Sequence, residues 1–344
     1  MKILVSYFFG KDQIPLGDSC LRALHDLGHD ARGFHAATQH PWHPFCRQSS
    51  RILRGLGFSN LDLSSRFGIS DTQYRSKRLL DEIELFRPDM LLVIRGYSYP
   101  RKFLQELQER YKIRLVGWCV KGPNDSGDIL DDAAAYDIYF CSHTNIPATA
   151  RKGEIQYLPV VGVDKLLYHP QPGEERSIPL TFVGGHNLRR GDLIGSIAKQ
   201  IGHSSVTIYG PYWKRLSRRF NPRYWSSVKG PWIGGAELNT LYNRSKIVLN
   251  ISSWDSTKLG ALNMRVFDVP TAGAFLLTEF SPDLENYFQP GKEIEVWHSR
   301  TELLEKIDFY LRNDIARERI AQAGYEKALK LPTFSDKFQG LFGL

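Results

Sequence analysis

The chain is short of the features that most quickly betray a function. It has four cysteines in 344 residues, Cys20, Cys46, Cys119 and Cys141, far apart and with no Cys-x-x-Cys pair. That usage excludes a disulfide framework and fits reduced, mostly buried thiols of a cytosolic protein. His40 and His43 are close, but no carboxylate or thiol at ligand spacing accompanies them, so no metal site is expected. No apolar run approaches the roughly 20 residues that span a bilayer. The apolar stretch 3–9 is too short for a secretory signal and reads as a first β-strand. Neither Gly-x-Gly-x-x-Gly nor the P-loop pattern occurs, which leaves the common dinucleotide and P-loop readings unsupported. Acidic residues are missing from 211–236, and no fixed-period repeat is visible.

What is present is an ordinary globular composition, 42% hydrophobic and 24% charged, in a chain long enough for two domains. Short apolar runs rich in β-branched or aromatic residues predict strands at 2–8, 90–95, 114–119, 138–141 and 156–158. Helical spacing predicts helices from near Asp18 to Gly28, over 72–86 and over 101–110. Residues 37–68 read as a long excursion with a short helix at 47–56. Pro, Gly and charge at 168–176 suggest an interdomain linker. A second series follows, with strands at 180–183, 206–209, 247–251, 274–277 and 294–296. Its helices fall at 189–201, 236–243, from Asn263, at 283–288, 302–311 and 314–331. Ser299-Arg-Thr-Glu302 has the capping-box pattern. Strands alternating with helices predict an α/β chain of two doubly wound, mostly parallel domains, with ligand loops after the strands. The expected domains are 1–170 and 171–331, followed by a tail at 332–344.

Several segments carry chemistry. Gly184 and Gly185 follow a strand and open a helix, where backbone can approach an anion and the helix end attracts it. The plainer reading is a tight turn. Leu262 to Glu279 places Arg265 three residues before Asp268, a cation and a carboxylate on roughly one helix side. Such a pair suits a ligand with phosphates and a diol, or it is a surface ion pair. Lys246 and Lys258 are further cations for a phosphate leaving group. Tyr209-Gly210-Pro211-Tyr212 could wall a base. The net charge of +8 concentrates in Lys214, Arg215, Arg218, Arg219, Arg223 and Lys229, interleaved with aromatics. This segment suits an anionic membrane or glycolipid, a nucleic acid, or a solvated loop whose aromatics pack locally.

These residues resemble a known family. TFVGG (181–185) with Arg190, TIYGPYW (207–213), VKGPWIGGAELNTLYNRSKIVLNIS (228–252), LNMRVFDVPTAGAFLLTEFSPDLENYF (262–288) and PGKEIEVWHSRTELLEKIDFYLRND (290–314) are similar to the CgeB-like glycosyltransferases. These are a GT-B branch with a C-terminal domain of the "glycosyl transferases group 1" type. The resemblance implies two Rossmann-like domains facing a cleft, the acceptor held by the first and a nucleotide-sugar donor by the second. The 332–344 tail would pack back on the first domain. It implies a donor site at Gly184, Gly185, Arg190, Tyr209, Gly210, Lys246, Asn263, Met264, Arg265 and Asp268. Asp268 stands where the family usually has a ribose-binding Glu. The earlier Glu of related retaining enzymes is replaced by Gly260, so retention of configuration does not follow.

The expected function is transfer of a sugar from a nucleotide-diphosphate donor to a hydroxyl of a cell-envelope glycan, glycolipid or surface protein. It would need no metal or resident cofactor, in the cytoplasm or at the inner membrane face. Asp18 and Asp125 are the leading candidates for an acceptor base, with Asp12, His35 and His143 behind them. The competing readings are a non-catalytic sugar- or nucleotide-binding module, a GT-B nucleotide-sugar epimerase and, last, a nucleic-acid binder, for which no motif is present.

Overall fold

The structure, a computed structural model, describes residues 1–10, 14–55, 62–95, 98–120, 129–142, 155–158, 162–216, 219–220, 224, 226–253 and 262–341. The chain divides into two compact units. One is built on Met1–Lys121, Ser126–Cys141 and Ile146–Tyr157, and the other chiefly on Leu158–Leu344.

The first unit contains strands β1 (Lys2–Tyr7), β2 (Asp30–His35), β3 (Met90–Ile94), β4 (Arg114–Cys119), β5 (Ile138–Cys141) and β6 (Ile155–Tyr157). They form one parallel sheet in the order β2-β1-β3-β4-β5-β6. The helices are α1 (Leu16–Asp26), α2 (His43–Gly55), α3 (Leu63–Arg66), α4 (Asp71–Phe86), α5 (Arg101–Tyr111) and α6 (Ile129–Ala133). β3 is buried at every position, as expected of a central parallel strand covered on both faces. α4 starts at a reciprocal capping box between Ser70 and Gln73. It ends on Arg87 in the left-handed region, φ 51°, just before Pro88 blocks further helix.

The second unit contains β7 (Ile178–Val183), β8 (Val206–Tyr209), a small antiparallel pair β9 (Arg215–Leu216) and β10 (Arg219–Phe220), then β11 (Val228–Gly230), β12 (Ser245–Asn250), β13 (Leu276–Glu279) and β14 (Glu295–Trp297). Its helices are α7 (Leu188–Ile201), α8 (Gly235–Asn243), α9 (Arg265–Thr271), α10 (Arg300–Arg312), α11 (Asp314–Ala328) and α12 (Phe334–Leu341). The main sheet is parallel, in the order β11-β8-β7-β12-β13-β14. Along β12 the side chains alternate between two cores. Ile247 and Leu249 share a core with Ile194 and Ile197 of α7 and Leu303 and Ile307 of α10, whereas Val248 shares one with Leu241 of α8 and Phe267 of α9. Helices therefore cover both faces, and the expected pair of doubly wound α/β units is observed.

The differences lie at edges and ends. Four strands were not anticipated: β2 and β11, each at an edge of a main sheet, and the small pair β9 and β10. The helix expected from Asn263 spans Arg265–Thr271, running through Pro270, and Gly273, φ 69°, turns the chain out. Ser299 caps α10 by accepting from Glu302 N at 3.2 Å. The Glu302 carboxylate accepts from His298 N instead of closing the box on Ser299. Residues 168–176 pack within the second unit: Tyr168 is 1% exposed in its core, and Arg176 donates to Gly273 O at 2.6 Å.

Order reverses at β7 and β12, where the chain leaves β7 toward β8 on one side and later returns to β12 on the other. In an open α/β sheet the crevice for a ligand opens at the carboxyl ends of those two strands.

Candidate donor site

The carboxyl end of β7 leads into Gly184, Gly185, His186 and Asn187, and Asn187 caps the 14-residue α7 by accepting from Arg190 N at 2.8 Å. Three bonds tie this turn to the end of β8: Gly184 N to Tyr209 O at 2.8 Å, His186 N to Pro211 O at 3.0 Å and Trp213 Nε1 to Gly184 O at 2.7 Å. Glycine is required at 210. Its φ is 154°, and a Cβ there would lie 2.0 Å from Gly184 O. The glycines thus let two loop backbones touch each other. Tyr212 follows with φ 71° and is 69% exposed.

Arg190 clamps this turn to β12. Nε and Nη2 donate to Ile251 O at 3.1 and 2.7 Å, and Nη1 donates to Gly185 O at 3.0 Å. Burial, followed by the positive charges of Arg265 and Arg189, lowers its pKa to about 10. The guanidinium is thus spent on backbone carbonyls. Its neighbour Arg189, which sequence reasoning passed over, is the more open cation, with a side chain 45% exposed. It forms a forked ion pair with Glu279 at the end of β13. The Glu279 side chain is 6% exposed and also accepts from Ser252 N at 3.3 Å. Glu279 was missed as well. The only signal for it is a lone acid closing an apolar strand, LLTE, and the only signal for Arg189 is its place beside Arg190.

Asn250, at the end of β12, is the third anchor and was also unforeseen. It is 1% exposed and its Nδ2 donates to Thr278 Oγ1 at 2.9 Å. Its Oδ1 accepts from Asn263 Nδ2 at 3.0 Å and Arg265 Nη1 at 3.1 Å. Asn263 Oδ1 in turn accepts from Arg265 N at 3.2 Å, and Met264 O receives Asp268 N at 2.8 Å as α9 begins. Arg265 and Asn263 are thus fixed through their side chains, and Met264 lies between them, half-buried.

Asp268 lies one turn behind Arg265 but does not share its exposure. It is 6% exposed, on the face of α9 that also buries Val269. Burial pushes its carboxyl pKa well above the ordinary value, Asp164 adds to the rise, and Arg265 and Tyr168 pull the other way. Tyr168 and Tyr242, rings 6.0 Å apart, are the aromatic neighbours that feel its charge. In place of the surface ion pair that was one of the two readings, a half-buried arginine stands a turn from a buried acid.

Lys246 belongs elsewhere. It sits near the amino end of β12, four residues before Asn250, and pairs with Asp314 at 3.8 Å. Lys258 lies outside the described residues. In the basic segment, Lys214 is exposed, the backbones of Arg215 and Arg219 lie in β9 and β10, and Arg218 and Arg223 fall outside the described residues. Two of its aromatics serve the core: Trp213 is 1% and Tyr224 3% exposed, with rings edge to face at 5.2 Å. Among the described residues no three His, Cys, Asp or Glu side chains gather as a metal site would need. No described helix is long and apolar enough to cross a membrane.

In the first unit the strand order reverses between β1 and β3. Asp18 is exposed in the first turn of α1 after β1. Tyr7 lies close by, and burial raises its pKa to about 12, with Arg95 opposing and Cys20 and Asp18 adding to the rise. Arg95, φ 70°, holds its guanidinium 4.5 Å from the Phe8 ring centre at the end of β3. His35 ends β2 and is exposed. Asp12, Asp125 and His143 lie outside the described residues.

Comparison with known proteins gives this geometry a context. Residues 189–342 match the family described as "Glycosyl transferase-like". No curated protein matches the sequence. Among solved structures, the sucrose-phosphate synthase of Thermosynechococcus elongatus is similar with a TM-score of 0.69 at 10% identity, over 100% of this chain and 98% of that one. Anabaena HepE in complex with UDP-glucose is similar with a TM-score of 0.65 at 13% identity, over the whole of both chains. A glycosyltransferase from Rickettsia africae has a TM-score of 0.58 at 10% identity, over 98% and 94%. The two six-stranded units are the Rossmann-like units of the GT-B fold, and the part of the chain that carries Arg189, Asn250, Arg265 and Glu279 is similar to the glycosyl transferase-like family.

Proposed function

We propose that this chain is a glycosyltransferase of the CgeB-like kind that takes a sugar from a nucleotide-diphosphate donor and needs no metal. The observation that carries the reading is the convergence of Arg189, Arg190 and Arg265 at the reversal point of the second sheet, beside the amino end of α7. Transfer breaks the bond from the anomeric carbon to the diphosphate and leaves the electron pair on a phosphate oxygen. Fixed cations and helix-end amides stabilise that charge as it grows. Arg265, held by Asn250, and Arg189, held by Glu279, are assigned to the phosphates. Arg190 holds the strand ends that carry them. Asp268 is assigned to the ribose hydroxyls, as an acid whose burial favours its protonated form and leaves it able both to donate and to accept.

The acceptor hydroxyl forms the new bond to the anomeric carbon and passes its proton to a base, for which Asp18 and Asp125 are the candidates. A glycan, glycolipid or surface-protein hydroxyl of the cell envelope is the proposed acceptor class. HepE has been solved with UDP-glucose and the pneumococcal GtfA with UDP and GlcNAc, so uridine nucleotides are the first donors to try. A non-catalytic nucleotide-binding role is the second reading, favoured by Gly260 in place of an acid.

The test is calorimetric titration of the whole chain with UDP, GDP, ADP and their sugar conjugates, followed by donor turnover with and without a chelator. Binding of one nucleotide that weakens at least tenfold in Arg265→Ala, with slow donor hydrolysis, supports transfer. Binding with no hydrolysis or transfer to any acceptor supports the second reading. No nucleotide binding at all overturns both.

A further inference from the structure

The first unit carries a surface that the donor site does not use. Helix α2 turns His43, Cys46 and Ser50 inward, with His43 Nδ1 3.1 Å from Asp71 Oδ1. The adjoining face is apolar and uncovered. Phe45 is 66% and Ile52 59% exposed, and Trp42, just ahead of the helix, is 64% exposed with its ring edge-on to Phe45 at 6.2 Å. Positions 42, 45 and 52 fall on one stripe by helical spacing, with the half-buried Ser49 between them. Phe67, immediately after the neighbouring α3, is 65% exposed as well. Isolated exposed apolar side chains are common, but a row of large ones marks an interaction face.

Along the chain, the charge around this stripe has one sign. Residues 31–61 contain four arginines, three histidines and no Asp or Glu. Arg47 and Arg51 are exposed on α2. The next acids along the chain are at least partly exposed but are held by their own partners: Asp62 accepts from Ser64 N and Ser65 Oγ, and Asp71 faces His43 and Gln39.

We propose that α2, with Trp42, lies in the interface of an anionic membrane. Trp42, Phe45 and Ile52 enter the acyl boundary, and Arg47 and Arg51 meet lipid phosphates. A Trp/Phe/Ile stripe flanked by arginines is the pattern of helices that lie in that plane, and Trp favours the headgroup level. A second copy of the chain fits less well, because symmetric pairing sets the arginines of two α2 helices together with no acid on either to offset them. A nucleic acid would satisfy the arginines and leave Phe45 and Ile52 in water. The proposal rests on the first unit alone and stands independently of sugar transfer.

The test is co-sedimentation of the full chain with vesicles of phosphatidylcholine, with and without phosphatidylglycerol, over a range of salt. The expected result is binding to the anionic vesicles alone, weakening as salt rises. Phe45→Ser with Ile52→Ser should lower partitioning at least tenfold, and Arg47→Gln with Arg51→Gln by about 30-fold at low salt. Both double variants expose no new core, so their melting and their donor turnover in solution should match the unaltered chain. Failure of the unaltered chain to bind overturns the proposal, as does equal binding by the variants. So does binding lost on neutralising Lys214 and Arg215 but not α2. Self-association or RNA retention that these variants abolish, without vesicle binding, assigns the face to those partners instead.

Discussion

Arg265 Nη1 meets Asn250 Oδ1 at 3.1 Å, and Asn250 is itself 1% exposed and held by Thr278. One of the two cations proposed for the diphosphate is therefore oriented by a residue that no ligand needs to touch. Asn250→Ala should cost about 1–3 kcal/mol in urea unfolding, because Thr278 and Asn263 lose a buried partner. Nucleotide affinity should fall about tenfold, as a charge-assisted bond is left to wander. Unchanged affinity in a folded variant would separate Arg265 from the donor.

Arg189 and Arg190 are adjacent in sequence and should both support stability, for different reasons. Arg190→Ala strips three bonds from Ile251 and Gly185 and should lower stability by about 2–3 kcal/mol. Arg189→Met leaves the buried Glu279 without its cation and should also destabilise. Adding Glu279→Gln to Arg189→Met should recover the melting temperature but not the nucleotide affinity. Recovery of both would make Arg189 a purely structural partner.

The buried acid gives a pH signature. Asp268 has a folded pKa raised well above 3.8, mainly by burial. Between the unfolded and folded values the native state keeps a proton that the unfolded chain has released, so stability falls as pH rises from about 4. Asp268→Asn removes this slope. The variant and the unaltered chain should be equally stable near pH 4 in denaturant titrations, with the variant ahead at pH 8. The reverse ordering would mean that Arg265 holds Asp268 as a carboxylate.

Gly210→Ala should be among the most damaging single-atom additions to the second unit. The left-handed φ and the 2.0 Å approach to Gly184 O leave no room for a methyl group. A loss above about 2 kcal/mol is expected. Gly202→Ala, also at positive φ but with nothing nearer than 3.9 Å, isolates the conformational part of the cost.

Much of the architecture was legible because buried parallel strands are written as apolar runs. MLLVI at 90–94 is buried at every position. β2, DARGFH, escaped because an edge strand with a face toward water carries charge, and only Ala31 and Phe34 of it are buried. β11 escaped because three residues make no pattern. In the site, Arg265 and Gly210 stood out locally, whereas Arg189 and Glu279 meet across 90 positions only because β7, β12 and β13 are neighbours. The same logic misplaced Lys246. It and Asn250 share a strand, yet four residues at about 3.3 Å each carry them to opposite ends. The burial of Asp268 was invisible because its aromatic cover comes from 100 positions earlier.

That cover gives the proline-rich segment at 168–176 a second duty. Its Tyr168 ring is sealed against Tyr242 beside Asp268, while Gln171 N bonds Asn243 Oδ1 at 2.8 Å and Arg176 reaches Gly273. Severing the chain at 170 would pull a plug from the second unit and admit water to the acid, whose proton would then leave near the pH of any exposed aspartate. The hinge-like composition of this stretch hides a stopper.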